Sequence, residues 1–166
     1  MGVAADIGRS LTQGPRPVIR EQLSHGPNEA RAMAFLMMGC GLIFVAQWPR
    51  LMRTAQIEGD DFTRLAAYAL LGWLIIWPLV FYGIAGLTYG LSRLLRSRAT
   101  PFGTRLALFW SWLATSPLGL LTGILAGFTG GSALTNVIGA LWIAVFAAFW
   151  WLSHREAAQA PQAHGV

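Results

Sequence analysis

The sequence contains no lysine. All twelve basic residues are arginines, set against seven acidic ones, and charged residues make up only 11% of the chain. Soluble domains carry about a quarter. A water-soluble fold with so few charges would expose broad apolar patches and aggregate. A single cysteine, Cys40, excludes an intrachain disulfide and a cysteine-based metal cluster. Set between Gly39 and Gly41 in an apolar run, it is expected to be a small buried hydrophobe rather than a reactive thiol. His25, His154 and His164 share no metal-ligand spacing. There is no Gly-x-Ser-x-Gly, no glycine-rich phosphate loop and no sheltered carboxylate pair. No catalytic residue, metal or cofactor is therefore expected, and the chain does not read as an enzyme. Residues 1–31 carry mixed charge without an apolar core, unlike a secretory signal. Asp6 stands where a myristoylation site needs Ser or Thr.

What the sequence does have is apolar length: 55% of its residues are hydrophobic, gathered in four runs at about 32–48, 65–91, 106–127 and 134–152. The first, 17 residues, is short for a hydrocarbon core of ~30 Å but within the range that crosses one as a helix, and the others are longer. Asn28 is expected to cap the first run and Pro49 to end it. The second is longer than a perpendicular crossing needs, so it must tilt, kink or emerge. Thr100 and Pro101 begin the third, and Ser132 caps the fourth. In the third, nine Leu, Ile or Phe residues are opposed by Pro117, three glycines and four Ser or Thr residues. Alone it would insert marginally, so the third and fourth runs are expected to enter as one hairpin. The predicted fold is all-α, a polytopic integral membrane bundle of four transmembrane helices. A cytoplasmic segment, 1–30, precedes the membrane domain, 31–153, and a disordered tail, 154–166, follows it. Within the first segment, Pro17 to Leu23 reads as a short interfacial helix on the leaflet, or as a solvated linker.

Arginine placement predicts orientation. Arg9, Arg16, Arg20, Arg31, Arg93, Arg96, Arg98, Arg105 and Arg155 fall on one side; only Arg50, Arg53 and Arg64 fall on the other, offset by Glu58, Asp60 and Asp61. The richer side, holding both termini and the middle loop, is assigned to the cytoplasm, and the bilayer to a bacterial inner membrane. Trp150 and Trp151 then form one aromatic belt and Trp48 the other. The net charge of +5 is directed at anionic lipid rather than nucleic acid: Arg93, Arg96, Arg98 and Arg105 are expected on headgroups, each worth ~1 kcal/mol. In the acidic cluster, helix capping is the expected use, with Asp60 at a helix start.

Small residues organise the third run. Ser111, Thr115, Gly119, Gly123 and Gly127 recur every four positions, placing them on one stripe that lets another backbone approach. Asn136, Ala140, Ala144 and Ala148 repeat likewise in the fourth, and the two stripes are predicted to face each other. Gly86 and Gly90 add small positions on the second. Asn136 is expected to hydrogen-bond a neighbouring helix. Pro78 and Pro117 fall mid-run and predict kinks.

Gly-Pro-Arg-Pro-Val-Ile-Arg from Gly14, Gly-Pro-Asn-Glu-Ala-Arg-Ala from Gly26, and Phe44-Val45-Ala46-Gln47-Trp48-Pro49-Arg50 form a recognisable series. Arg105-Leu-Ala-Leu-Phe-Trp110 and Ser116-Pro117-Leu118 continue it. Over roughly residues 10–155 the chain resembles the small bacterial members of the Yip-one (Yip1 domain) family, most of all a Rhodobacter-like branch. That resemblance implies a compact helical bundle with a cytoplasmic N-terminus and no enzymatic activity. Eukaryotic relatives act with Rab-type GTPases in vesicle trafficking; this chain departs from them in having four spans rather than five and a shorter arm. The expected function is that of a non-enzymatic membrane organiser or accessory partner of other membrane proteins or of itself. Two alternatives stay open. One is a small-molecule transporter or channel with a wet cavity at Ser111, Thr115, Ser116 and Asn136. The other is an accessory subunit of a respiratory or photosynthetic complex.

Overall fold

The computed structural model describes residues 2–130 and 132–159. Eight α-helices follow in order: α1 (Val3–Gln13), α2 (Arg16–Ser24), α3 (Glu29–Ala46), α4 (Trp48–Glu58), α5 (Phe62–Leu71), α6 (Trp77–Leu94), α7 (Pro101–Thr129) and α8 (Ala133–Gln159), with a π-helical turn, Gly72–Ile76, joining α5 to α6. Four continuous stretches are long and apolar enough to cross a membrane: Glu29–Glu58, Phe62–Leu94, Pro101–Thr129 and Ala133–Gln159.

Side-chain caps fix where these helices start. The Asn28 side chain accepts from the Arg31 amide, Thr100 Oγ1 from Gly103 N at 3.0 Å, and Ser132 Oγ from Thr135 N at 3.3 Å, each satisfying an orphan N–H of a first turn. In the acidic cluster it is Asp61, not Asp60, that caps, accepting from Thr63 N at 2.9 Å. Asp60 instead pairs with Arg64 one turn on.

Proline behaves differently at its three sites. Pro49 does not end the first run. Gln47 keeps helical angles, φ −76° and ψ −17°, and the chain restarts at once as α4 with Pro49 in its first turn, where a missing N–H costs nothing. Upstream of Pro78 the strain is absorbed by the π turn, and Trp77 N–H reaches Gly72 O, a wider bond that α-geometry would not make. At Pro117, inside α7, the ring removes the bond to the carbonyl four residues back. Ser116 Oγ donates to that carbonyl, Leu113 O, at 2.8 Å. Ser116→Ala should therefore destabilise the bundle by about 1 kcal/mol, measured by unfolding in mixed detergent micelles. A loss under a few tenths would mean the proline kink needs no such support.

Helix α7 is the axis of the molecule. From Phe102 to Ser116 every side chain but Arg105 is buried, because neighbours cover it on all sides. Helix α3, which with α4 makes up the first candidate span, Glu29–Glu58, runs parallel to α7. Their paired positions advance together: Glu29 with Arg105, Phe35 with Trp110, Gly39 with Trp112, Ile43 with Gly119, Ala46 with Gly123 and Pro49 with Gly127. From Ile43 to Pro49, steps of three on the first span meet steps of four on α7, the ridge-into-groove fit that sets crossings near +20°. Cys40 is fully buried in this contact, as a small hydrophobe.

The N-terminal segment is more structured than its composition suggests. Both α1 and α2 are helical, and the apolar face of α2 does not rest on a leaflet: Val18 and Ile19 are fully buried in the main core. Protein rather than lipid covers that face because Arg20 pairs with Glu156 of α8 at 2.7 Å, holding the helix down. The tail likewise begins later than expected. Helix α8 continues through Gln159, with Ser153, Glu156 and Ala157 buried, because α2 supplies partners for its last turn. Residues 160–166, including His164, lie outside the described residues.

Candidate functional site

The sites expected from sequence are distributed over four places in the fold. Gly123 and Gly127 of the α7 stripe meet the first span, and Gly119 lies between Ile43 of the first span and Trp142 of α8. A Cβ at Gly123 would lie 2.8 Å from the Ala46 carbonyl carbon, and one at Gly127 3.1 Å from that of Pro49. Asn136, Ala140, Ala144 and Ala148 are all exposed, so the predicted stripe-to-stripe contact does not form. Asn136 makes no side-chain hydrogen bond among the described residues. Helix α8 instead turns its aromatic side inward. Trp142 and Phe146 both pack on Trp112, with ring centroids 5.5 Å away, and Trp150 stacks on Phe146. Aromatic rings bury far more area than alanines, and the small side of α7 is already occupied by Ile43, Ala46 and Pro49. At the upper part of this contact Ser153 Oγ lies within hydrogen-bond distance of Ser111 Oγ, at 3.1 Å, among the described residues the one point where the α7 stripe touches α8 through a polar bond. Gly83, Gly86 and Gly90 of α6 have open space beside them.

Ser111, Thr115 and Ser116 are wholly buried. Each hydroxyl donates to a carbonyl of the preceding turn of its own helix, at 2.7, 2.9 and 2.8 Å. None of them lines the cleft that Asn136 borders. Trp73 and Trp112 stack across the two proline-bearing spans, with centroids 6.2 Å apart, filling the space near both kinks with rings.

The ends of the bundle differ in charge. At one end lie the N-terminal helices, the turn after α6 and the last turn of α8, joined by Arg20 to Glu156, Ser92 to His154 at 3.0 Å and Arg105 to Glu29. Arg105 is thus engaged by protein rather than left for a headgroup, because α3 places Glu29 beside it. Arg98 is not free either. Arg93 and Arg96 remain exposed. The Ser92–His154 link joins positions 62 apart, and no local pattern in the sequence signals it.

At the opposite end a cleft opens between the first span and α8, with α7 as its floor. Its outer part, about 430 Å³, is edged by Arg50, Arg53, Glu58 and Asn136. Its inner part, about 290 Å³, runs over Gly119 and Gly123 and is lined by Ile43 and Trp142. Both parts share Arg50, Ala126, Thr135 and Asn136, so they form one groove. Arg53 donates to Phe128 O at 3.2 Å and so satisfies a carbonyl at the C-terminus of α7, where a cation is favoured. Arg50 has no such partner. Among the described residues no group of three His, Cys, Asp or Glu residues could hold a metal ion.

No family model matches this chain, and no curated protein or solved structure does so. The geometry alone carries the functional argument.

Proposed function

We propose that this is a non-enzymatic inner-membrane protein of the Yip-one type, acting as an accessory partner of other membrane proteins, with both termini in the cytoplasm. The observation that carries the reading is the outward-facing stripe Asn136, Ala140, Ala144 and Ala148. Small residues at helical spacing let a second helix come close, and close van der Waals packing is what holds helices together when lipid tails are as apolar as the side chains. The exposed glycines of α6, with open space at Gly83, Gly86 and Gly90, offer the same kind of approach. Arg93 and Arg96 stand free for anionic headgroups on the arginine-rich side, which favours that side as cytoplasmic.

The test uses the buried state of Cys40, which leaves an introduced surface cysteine as the reactive one. Ala144→Cys in intact membranes should give a crosslinked adduct to another polypeptide, whereas Leu79→Cys, on a lipid-facing part of α6, should not. In parallel, Ala144→Leu should lower recovery of that partner severalfold under mild detergent while leaving the unfolding midpoint unchanged. Equal adduct from both cysteines would reject a specific contact on α8.

A further inference from the structure

We infer that the cleft between the first span and α8 is a binding site for an amphiphile with a phosphate-type anionic head, namely a phospholipid of the bilayer, with its head on Arg50 and one acyl chain on the glycine floor. Three features of the cleft converge on this chemistry.

The first is an unpaired cation. Arg50 edges both parts of the groove yet has neither an ion pair nor a hydrogen bond among the described residues. Arg53 beside it is committed to the α7 carbonyls and Arg64 to Asp60. A guanidinium presents a planar fork of donors that matches phosphate oxygens. Glu58 is the only acidic residue lining the cleft, and it borders the outer part alone, leaving the junction at Arg50 free of negative charge.

The second is a gradient of polarity along the groove. Gln47, Thr135 and Asn136 line the groove with Arg50, whereas Ile43 and Trp142 line the inner part alone. Arg50 lies seven residues beyond Ile43 along a helical path, about 10 Å at 1.5 Å per residue. An acyl chain with its head at Arg50 would therefore cover much of the floor before leaving past Trp142 into the bilayer.

The third is why the space exists. The floor and one wall are built from Gly119, Gly123, Ala126 and Gly139. These are too small to fill the space between the first span and α8. A Cβ at Gly139 would make only ordinary contact, 3.5 Å from Thr122 Cγ2, so this glycine is not demanded by backbone packing and its missing side chain leaves room in the groove.

Full-length protein in nonionic detergent, titrated with palmitoyl-oleoyl phosphatidylglycerol and read by native mass spectrometry, tests the proposal. One lipid should be retained per chain. Arg50→Gln should weaken retention about tenfold, the loss expected for one charge-assisted contact. Gly139→Leu should weaken it comparably at unchanged helical circular dichroism, by filling the tail groove. Arg16→Gln removes the same charge from an exposed position at the other end and should have no such effect. Three outcomes would overturn the assignment. One is equal weakening by Arg50→Gln and Arg16→Gln, which would indicate bulk electrostatics. A second is equal retention of dioleoylglycerol, which lacks the phosphate. The last is binding of inorganic phosphate that needs Arg50 while lipid retention ignores Gly139→Leu, which would place a soluble phosphate there instead.

Discussion

Gly123→Leu should separate the first span from the third and destabilise the bundle by about 3 kcal/mol, the upper end of ordinary overpacking. At this position α7 touches backbone rather than flexible side chain. An added Cβ would lie 2.8 Å from both the carbonyl carbon and the Cβ of Ala46, and closer still to its carbonyl oxygen. The first span cannot slide aside cheaply, because Gly119 above and Gly127 below are pinned in the same register against Ile43 and Pro49. Unfolding in a nonionic–dodecyl sulfate micelle series measures the loss. Cysteine crosslinking then identifies the separated pair: contact between α3 and α7 should fall while that between α7 and α8 persists. A variant within 1 kcal/mol of wild type would mean that the close approach is not a main support of the fold.

Trp110→Ala should cost about 3–5 kcal/mol, the range for emptying a large aromatic site. The indole is wholly buried, packs edge-on against Phe35 at 4.9 Å and donates through Nε1 to Ser10 Oγ at 3.1 Å. It joins the helical bundle to α1, whose Val3 and Ile7 rest on the same core. The loss should appear in two ways: a lower unfolding midpoint and faster proteolysis near Gly14, the hinge between α1 and α2. Trp110→Phe keeps most of the apolar area and loses the hydrogen bond, so it should recover most of the stability while α1 remains loosened. Equal proteolysis of wild type and Trp110→Ala would show that α1 is held by other contacts.

Much of the first-order structure was legible because its causes are local. Apolar length exceeded what a crossing needs in four places, and backbone groups in hydrocarbon have no partner but their own helix. The caps at Asn28, Thr100 and Ser132 were readable because a cap acts within three residues of itself. Pro49 was misread for the same reason: a local rule says that proline stops a helix, but the identical residue suits the first turn of the next one, and no local signal distinguishes the two. Asp60 and Asp61 are adjacent candidates for one cap, and the choice depends on which one Arg64 draws away.

The pairing of faces was a different kind of question. Stripes on α7 and α8 with the same spacing looked complementary, yet Gly123 and Gly127 go to the first span, Gly119 lies between Ile43 and Trp142, and the small stripe of α8 faces outward. Spacing states which residues share a face; it does not state which of several helices will reach that face first or bury more area there. The docking of α1 and α2 was hidden likewise, because its anchors join Ser10 to Trp110 and Arg20 to Glu156, positions far apart in the chain. The groove beside Arg50 could not be foreseen at all, since an empty volume has no residue of its own.

The sequence by itself determined that the chain is helical, that it holds four stretches fit to cross a bilayer, and where most of those helices begin, since hydrophobic length and capping are properties of short segments. Only the tertiary structure decided which faces meet, what holds the N-terminal helices in place and where an unpaired arginine borders open space, because each of these depends on competition among distant surfaces for the same limited area of contact.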